Sequence, residues 1–530
     1  RVKRNHPRFE KLAEPGFDIS KFALADAQLV IAREHGFESW PKFAKRIEII
    51  NNEAAARENP VAAFIEAAIW HGTLDAAEAI LAAHPEIART SIHVAAVLGD
   101  DAAVRRFIAA DPQNVTKKEP PYDGDALVYL CLSKYLRLDK TRSETFMRAA
   151  TALLDAGADP NTGFTAKDEY GDFETALYGA AGVAHHAELT RLLLERGADP
   201  NDNETFYHTP ETYDNDALKV LVESGKMRPD LLAGMLLRKA DWHDYEGIKY
   251  LLEHGADPNR MTIWGYTALH QAVRRDNGIE LIDLMLDHGA DPTIKTVTEI
   301  AAHFPPVDGQ RSAVALAARR GRSDVLWTFA RRGFPMPMPH DGLEHLIVSA
   351  CAARSGAAGA RAFFEQFQHL ANAATPRKSA ELRGVSELLP EGSSLLAQFA
   401  GNGNTKGVQY LLDLFVPVDA LYQGDPYFDI AKDSTALHVA AWKAWPKTVK
   451  LLIERGANVN AQDAKGRTPL MLAVKACVDS YWTNRRSPES VEALLKAGAS
   501  VDGVGYPCGY AEVDALLQKY ASNSAANARE

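Results

Sequence analysis

A pair of apolar residues, a charged one, one further residue and then a small Gly-Ala step recur along the chain. The phrase reads LLDAGADPN at 153–161, LLLERGADPN at 192–201, YLLEHGADPN at 250–259, LMLDHGADPT at 284–293, LLIERGANVN at 451–460 and LLKAGASVD at 494–502. A second phrase, apolar behind a leading threonine, comes before it: TALYGAAG (175–182), TALHQAV (267–273), TALHVAA (435–441) and TPLMLAV (468–474). The two phrases predict two helices per unit. Threonine caps the first, because its hydroxyl accepts an orphan amide of the opening turn. Glycine after the apolar pair supplies the left-handed residue that ends the second. Asp-Pro-Asn then turns the chain out into a finger.

The spacing fixes the unit. Thr to Gly spans 22 residues (175 to 197), 22 (267 to 289) and 21 (435 to 456), and Gly to the next Thr spans 12 (255 to 267, 456 to 468). A period of 33 to 34 with these phrases resembles the ankyrin repeat, in which Thr-Pro-Leu-His opens the first helix and Leu-Leu-x-x-Gly-Ala closes the second. In that register degenerate copies fall at 64–88, 90–115, 312–333 and 394–415, with weaker ones near 125–157, 206–229, 230–255 and 343–370. The expected fold is all-α: an ankyrin-repeat solenoid of about twelve helix-turn-helix repeats with β-turn fingers. Residues 53–505 are the expected array. Residues 1–52 form a degenerate helical capping region, which resembles the N-terminal segment of a group of bacterial ankyrin-repeat proteins. Residues 506–530 are read as a cap helix and a disordered tail. The chain starts at Arg1 rather than Met, which predicts a missing upstream segment.

Bulk composition narrows the function. Apolar residues at 46% and charged ones at 24% are those of a globular chain. A net charge of −11 argues against a general nucleic-acid or anionic-membrane binder. The four cysteines are far apart and form no Cys-x-x-Cys pair, which fits a reducing cytoplasm. No apolar run approaches the roughly 18–20 residues needed to span a bilayer.

Catalytic motifs are sparse. A phosphate-cradling loop, a His-Glu-x-x-His and a nucleophile elbow are all missing from the sequence. His270, and likewise His93 and His438, occupies the His of the opening phrase. The resemblance implies that each bonds locally and to a neighbouring repeat's backbone. His185 and His186, adjacent on a helix, point about 100° apart and make a poor metal pair. Asp241, His243 and Asp244 form an acid–base cluster without a nucleophile.

Binding residues are expected at the fingers and in the groove. Met261, Ile263, Trp264 and Tyr266 fall on finger positions that face a partner in the ankyrin family. Residues seven and eight past the Thr face the family's groove: here Arg274 and Arg275, Arg319 and Arg320, Arg354 with Ser355, Trp442 and Lys443, and Lys475. Arginine suits carboxylate or phosphate because its planar fork binds bidentately; basic residues also simply complement a helix end. Trp442, Trp445, Tyr481 and Trp482 either clamp an apolar or peptide ligand or seal the end of the array. Tyr481 and Trp482 sit in an insert, since Thr468 to Gly498 is 30 residues. Long fingers at 157–175 and 289–312, and aromatics at 206, 207, 213, 422, 427 and 428, stand either as partner anchors or as folded-back loop cover.

The expected function is therefore protein binding by a cytoplasmic monomer, with an acidic extended segment as partner. It is expected to use no cofactor, metal, nucleic acid or membrane, and to carry no catalysis. The alternatives are an enzyme or small-molecule binder with a groove site closed by the inserts, and a self-assembling scaffold.

Overall fold

The computed structural model describes residues 28, 31–167, 171–297, 311–337, 347–348, 350–352, 392–414, 416–480 and 482–527. The chain divides into two compact units, Arg1–Trp242 and His243–Glu530. Each is a succession of antiparallel helix pairs. In the first, after a long helix at Trp40–Glu58, the pairs are Pro60–Ala68 with Asp75–Ala83, Ile92–Leu98 with Asp101–Ala110, and Ala126–Cys131 with Ser143–Asp155. Next come Ala176–Tyr178, prolonged by a wider turn at Gly179–Val183, with Ala187–Glu195, and Thr205–His208 with Asp216–Glu223; Pro229–Asp241 closes the unit. In the second, Tyr245–Glu253 precedes Ala268–Arg274 with Ile279–Asp287, Ala313–Arg319 with Ser323–Arg331, and Gly392–Gly401 with Thr405–Asp413. Ala436–Trp442 with Pro446–Glu454 and Pro469–Val478 with Glu489–Lys496 follow, then Ala511–Asn527.

Each pair starts and stops on local chemistry. Ser91 Oγ accepts from Val94 N and Thr175 Oγ1 from Tyr178 N, opening first helices. Asp100, Asp244 and Asn404 do the same for second helices, accepting from Ala103, Gly247 and Gly407. Gly289 ends its helix at φ 85, a conformation that costs glycine little. First helices stack on first helices through alanine, leucine and valine: Ala95, Ala96, Leu127, Val128, Ala317, Ala440, Ala441 and Leu472 are all buried. The core of each unit is thus a continuous seam between neighbouring pairs.

A second thread joins the turns of neighbouring repeats within each unit. The Asn of each Asp-Pro-Asn reaches one repeat onward: Asn259 Nδ2 donates to Gly289 O (2.8 Å) and Asn259 Oδ1 accepts from Asp291 N (2.7 Å). Asn161, Asn201 and Asn460 make the same two-way bond to the next repeat. Fingers also join directly, Val297 N donating to Gly265 O at 2.8 Å. The long finger after Asn161 forms a two-stranded antiparallel hairpin, Gly163–Thr165 with Phe173–Thr175. The expected elements at 1–27, at 298–310 and at 353–391, and residues 168–170 of the long finger at 157–175, lie outside the described ones.

Candidate functional site

The opening-phrase histidines are fixtures of the stack. His270 Nδ1 accepts from Thr267 N (3.3 Å) and lies 2.8 Å from Thr267 Oγ1, so Nε2 carries the proton and donates to Arg311 O at 3.2 Å. His438 repeats the arrangement with Thr435 and Arg467 O, and His93 Nε2 donates to Lys117 O. Burial lowers the His270 pKa to about 4 and keeps the ring neutral. His186 caps its helix, accepting from Leu189 N, and its Nε2 lies 2.6 Å from Ser143 Oγ. Asp244 caps a helix and Asp241 accepts from Arg238. Among the described residues no group of three or more His, Cys, Asp or Glu is placed to hold a metal ion.

The second unit gathers its charges at the inner turns. Asp276, at φ 55 just past the helix Ala268–Arg274, accepts two bonds from Arg320, Nε at 2.8 Å and Nη2 at 2.9 Å. Lys443 Nζ donates to the same carboxylate. Three turns distant in sequence thus meet on one buried charge. Burial would raise the Asp276 carboxyl, but Arg320 and Lys443 hold it far below its ordinary value. Burial pulls the Lys443 ammonium down although Asp276 lies beside it.

This corrects part of the groove expectation. Arg319 and Lys443 are buried and Arg320 is spent on Asp276, so these three do not offer a free basic face. The reason is that the left-handed turn at Asp276 sets a carboxylate against both Arg320 and Lys443, whose like charges need it. Trp442 is likewise interior, its Nε1 donating to Phe428 O, with Phe428, Tyr422, Val439 and Leu472 in the same cluster. Trp482 stands edge-on to Trp442 at 5.1 Å, and Trp445 Nε1 donates to Gly401 O. Tyr481 and Arg354 lie outside the described residues.

Other expected residues stay closer to the surface. Arg274 lies over the Tyr266 ring at 4.9 Å and Arg275 over the Tyr427 ring at 3.5 Å, each half-buried. Tyr266 itself is buried, whereas Met261 and Trp264 are half-buried. Exposed apolar side chains stand on three fingers of this unit: Ile263 is 50% exposed, Val297 41%, Leu421 61% and Tyr427 40%. In the first unit Phe173 and Tyr213 are exposed and Phe206 is buried. The loop aromatics thus divide between exposed ones (Phe173, Tyr213, Tyr427) and buried ones (Phe206, Tyr422, Phe428).

Two features went unread in the sequence. A cavity of about 350 Å³ lies between the helix Pro469–Val478 and the segment 503–508, with Met471, Leu472, Val474, Val478, Val504 and Pro507 along it and Lys475 at its edge. Lys475 is shared between Asp429 and Asp479, each at 3.6 Å. In the first unit His208 lies between Glu204 (3.2 Å) and Glu211 (3.0 Å), and Arg238 pairs with Glu211 and stacks on Tyr207 at 4.1 Å. Burial works against the charged ring, but the two carboxylates outweigh it and raise the His208 pKa to about 9. The cavity joins segments that no spacing links; Glu204 and Glu211 flank His208 at four and three residues, a local spacing, and only Arg238 comes from further along the chain.

Comparison with known proteins agrees with this architecture. A family model described as ankyrin repeats (3 copies) matches residues 352–463 and 395–503, and one described as ankyrin repeats (many copies) matches 236–286. Human Rabankyrin-5 is 55% identical over 42 residues, 8% of this chain and 4% of that protein. Mouse Rabankyrin-5 is 58% identical over 40 residues, 8% of this chain and 3% of the relative. The chain thus spans a small fraction of the length of these relatives. Among solved structures, the human ASB11 ankyrin repeat domain is 18% identical, with a TM-score of 0.23, over 56% of this chain and 98% of that one. Among the described residues no helix is long and apolar enough to cross a membrane.

Proposed function

The chain belongs to the ankyrin-repeat proteins, and on that premise we propose that it is a binding protein which holds an extended segment of another protein across the fingers of its second unit. One observation carries this reading: Ile263, Val297, Leu421 and Tyr427 leave apolar surface exposed on three fingers of the second unit. Fully burying an aliphatic side chain of this size contributes about 1.5–3 kcal/mol, so a partner covering several gains enough to offset its ordering. Arg274 and Arg275 border the same fingers with guanidinium groups held on tyrosine faces. A segment that alternates apolar and acidic residues complements both. Two of these fingers are already tied by a backbone bond, Val297 N to Gly265 O, so they lose little freedom on binding.

The test is capture from the native host by the full chain and by an Ile263→Asp, Leu421→Asp variant, with mass spectrometry of what is retained. A protein retained by the wild-type chain and lost from a variant of unchanged thermal stability supports the reading. Identical retention by both overturns it.

A further inference from the structure

The insert of the last repeat ends in a short turn, Thr483–Arg485, that delivers Arg485 to the aromatic cluster. Its guanidinium lies 4.2 Å over the Trp445 ring and 5.7 Å from the Trp482 ring. Trp445 is fixed by its bond to Gly401 O, and Trp482 by packing on Trp442 and, at 6.4 Å, on Phe428. Among the described residues no carboxylate lies within ion-pair distance of this guanidinium and no acceptor takes its N–H groups.

The surroundings are electropositive. Lys443 lies 5.6 Å from the same Trp482 ring, and Lys475 lies 4.4 Å over Trp442. The carboxylate that Arg485 senses is Asp276, which is already bonded to Arg320 and Lys443. Asp425 adds a more distant negative charge to that network. A half-buried guanidinium in such a place gives up hydration without a counter-charge, which is costly unless a ligand supplies one. Burial lowers its pKa to about 10, with Asp276 offsetting part of the effect. A guanidinium over a ring face keeps its N–H groups for a planar acceptor.

We propose that Arg485 is the anchor for an acidic side chain of the bound segment, its edge pairing bidentately with one carboxylate while Trp445 and Trp482 cover the guanidinium. This rests on the protein-binding reading above and adds the chemistry of its strongest polar contact. It also moves that contact away from Arg319 and Arg320, which the stack itself consumes. The planar carboxylate is the fitting group because it can lie in the plane of the fork, against the edge that the rings leave open.

The experiment titrates the full chain with a blocked hexaglutamate peptide, with hexaglutamine and with inorganic phosphate, following tryptophan fluorescence and the Arg485 Nε–H resonance. The expected result is binding of hexaglutamate alone, with a shift of Arg485, and an affinity loss of about tenfold or more in Arg485→Gln. Arg485→Lys should recover part of the affinity, and thermal melts should show all three chains folded alike. Equal hexaglutamate affinity in wild type and Arg485→Gln overturns the proposal, as does a phosphate response matching the peptide's. Partner capture lost in the finger variant but kept in Arg485→Gln overturns this anchor alone. Hexaglutamate binding that needs Arg485, with capture insensitive to the finger variant, overturns the finger reading instead.

Discussion

Replacing Asp276 by Asn tests whether the inner turns are held by charge. Asn tolerates the positive φ of this position nearly as well as Asp, so the backbone is spared. What changes is the charge: Arg320 Nε and Nη2 and Lys443 Nζ lose their common carboxylate and remain buried. Breaking a buried pair from one side costs about 3–5 kcal/mol, and the lower end applies here because the amide oxygen still accepts one bond. A loss of about 3 kcal/mol is roughly a hundredfold change in the local opening equilibrium. Repeat arrays open in parts, so the assay is hydrogen exchange rather than a single melting curve. Protection should fall in Ala268–Arg274, Ala313–Arg319 and Ala436–Trp442 while Ile92–Leu98 in the other unit keeps its rate. Asp413→Asn, which breaks a more exposed pair with Arg455, should cost under about 1 kcal/mol. Adding Lys443→Met to Asp276→Asn should restore part of the loss, since one orphaned cation is then gone. A change below about 1 kcal/mol in Asp276→Asn, or equal losses in the two Asp variants, would refute the argument. The acid limb gives an independent check. The Asp276 pKa is depressed, so its contribution is complete above the ordinary value of 3.8 and is lost as pH falls below that value. The Asn variant should show a flatter acid limb.

The remaining expectations are local. His208 should titrate near pH 9 by NMR; because its pKa is raised, its stabilisation is complete below about 6.5 and fades as pH climbs towards 9, and His208→Gln should remove that dependence. Gly321→Ala should destabilise the second unit by more than about 1 kcal/mol in urea titration, because φ is 73 and the new Cβ would lie 2.7 Å from Phe399 Cα; a neutral result would contradict the close approach of Gly321 to the helix Gly392–Gly401. Thr267→Ala removes the hydroxyl that opens Ala268–Arg274 and should cost about 1 kcal/mol by the same assay. The His270 ring should stay neutral down to about pH 5, and a titration above 6 would contradict its burial.

The repeat was legible because its signals are local and periodic. Thr267 and Gly289 each act within a turn of their own position, so one period predicts their roles, and the family register supplies the reach of His270 to the next repeat. The Asp-Pro-Asn phrase was read as a turn only; that Asn259 also clasps the next repeat needed the stacking distance, which no spacing provides. The groove was less legible for the same reason. Family register placed Arg320 and Lys443 where a ligand could reach them, but it is silent on Asp276, whose left-handed turn brings a carboxylate beneath both. Arg485 was passed over because it lies in an insert, where register fails and only the packed tryptophans show where the side chain ends.

Photo-crosslinking tests the central claim most directly. A benzoylphenylalanine placed at Ile263, Leu421 or, on an outer helix, Glu454 is irradiated in the native host, and the cross-linked peptides are sequenced. The account predicts one partner joined from 263 and 421 through an acidic segment, and none from 454. Cross-links from 454 with silence at both fingers would contradict it.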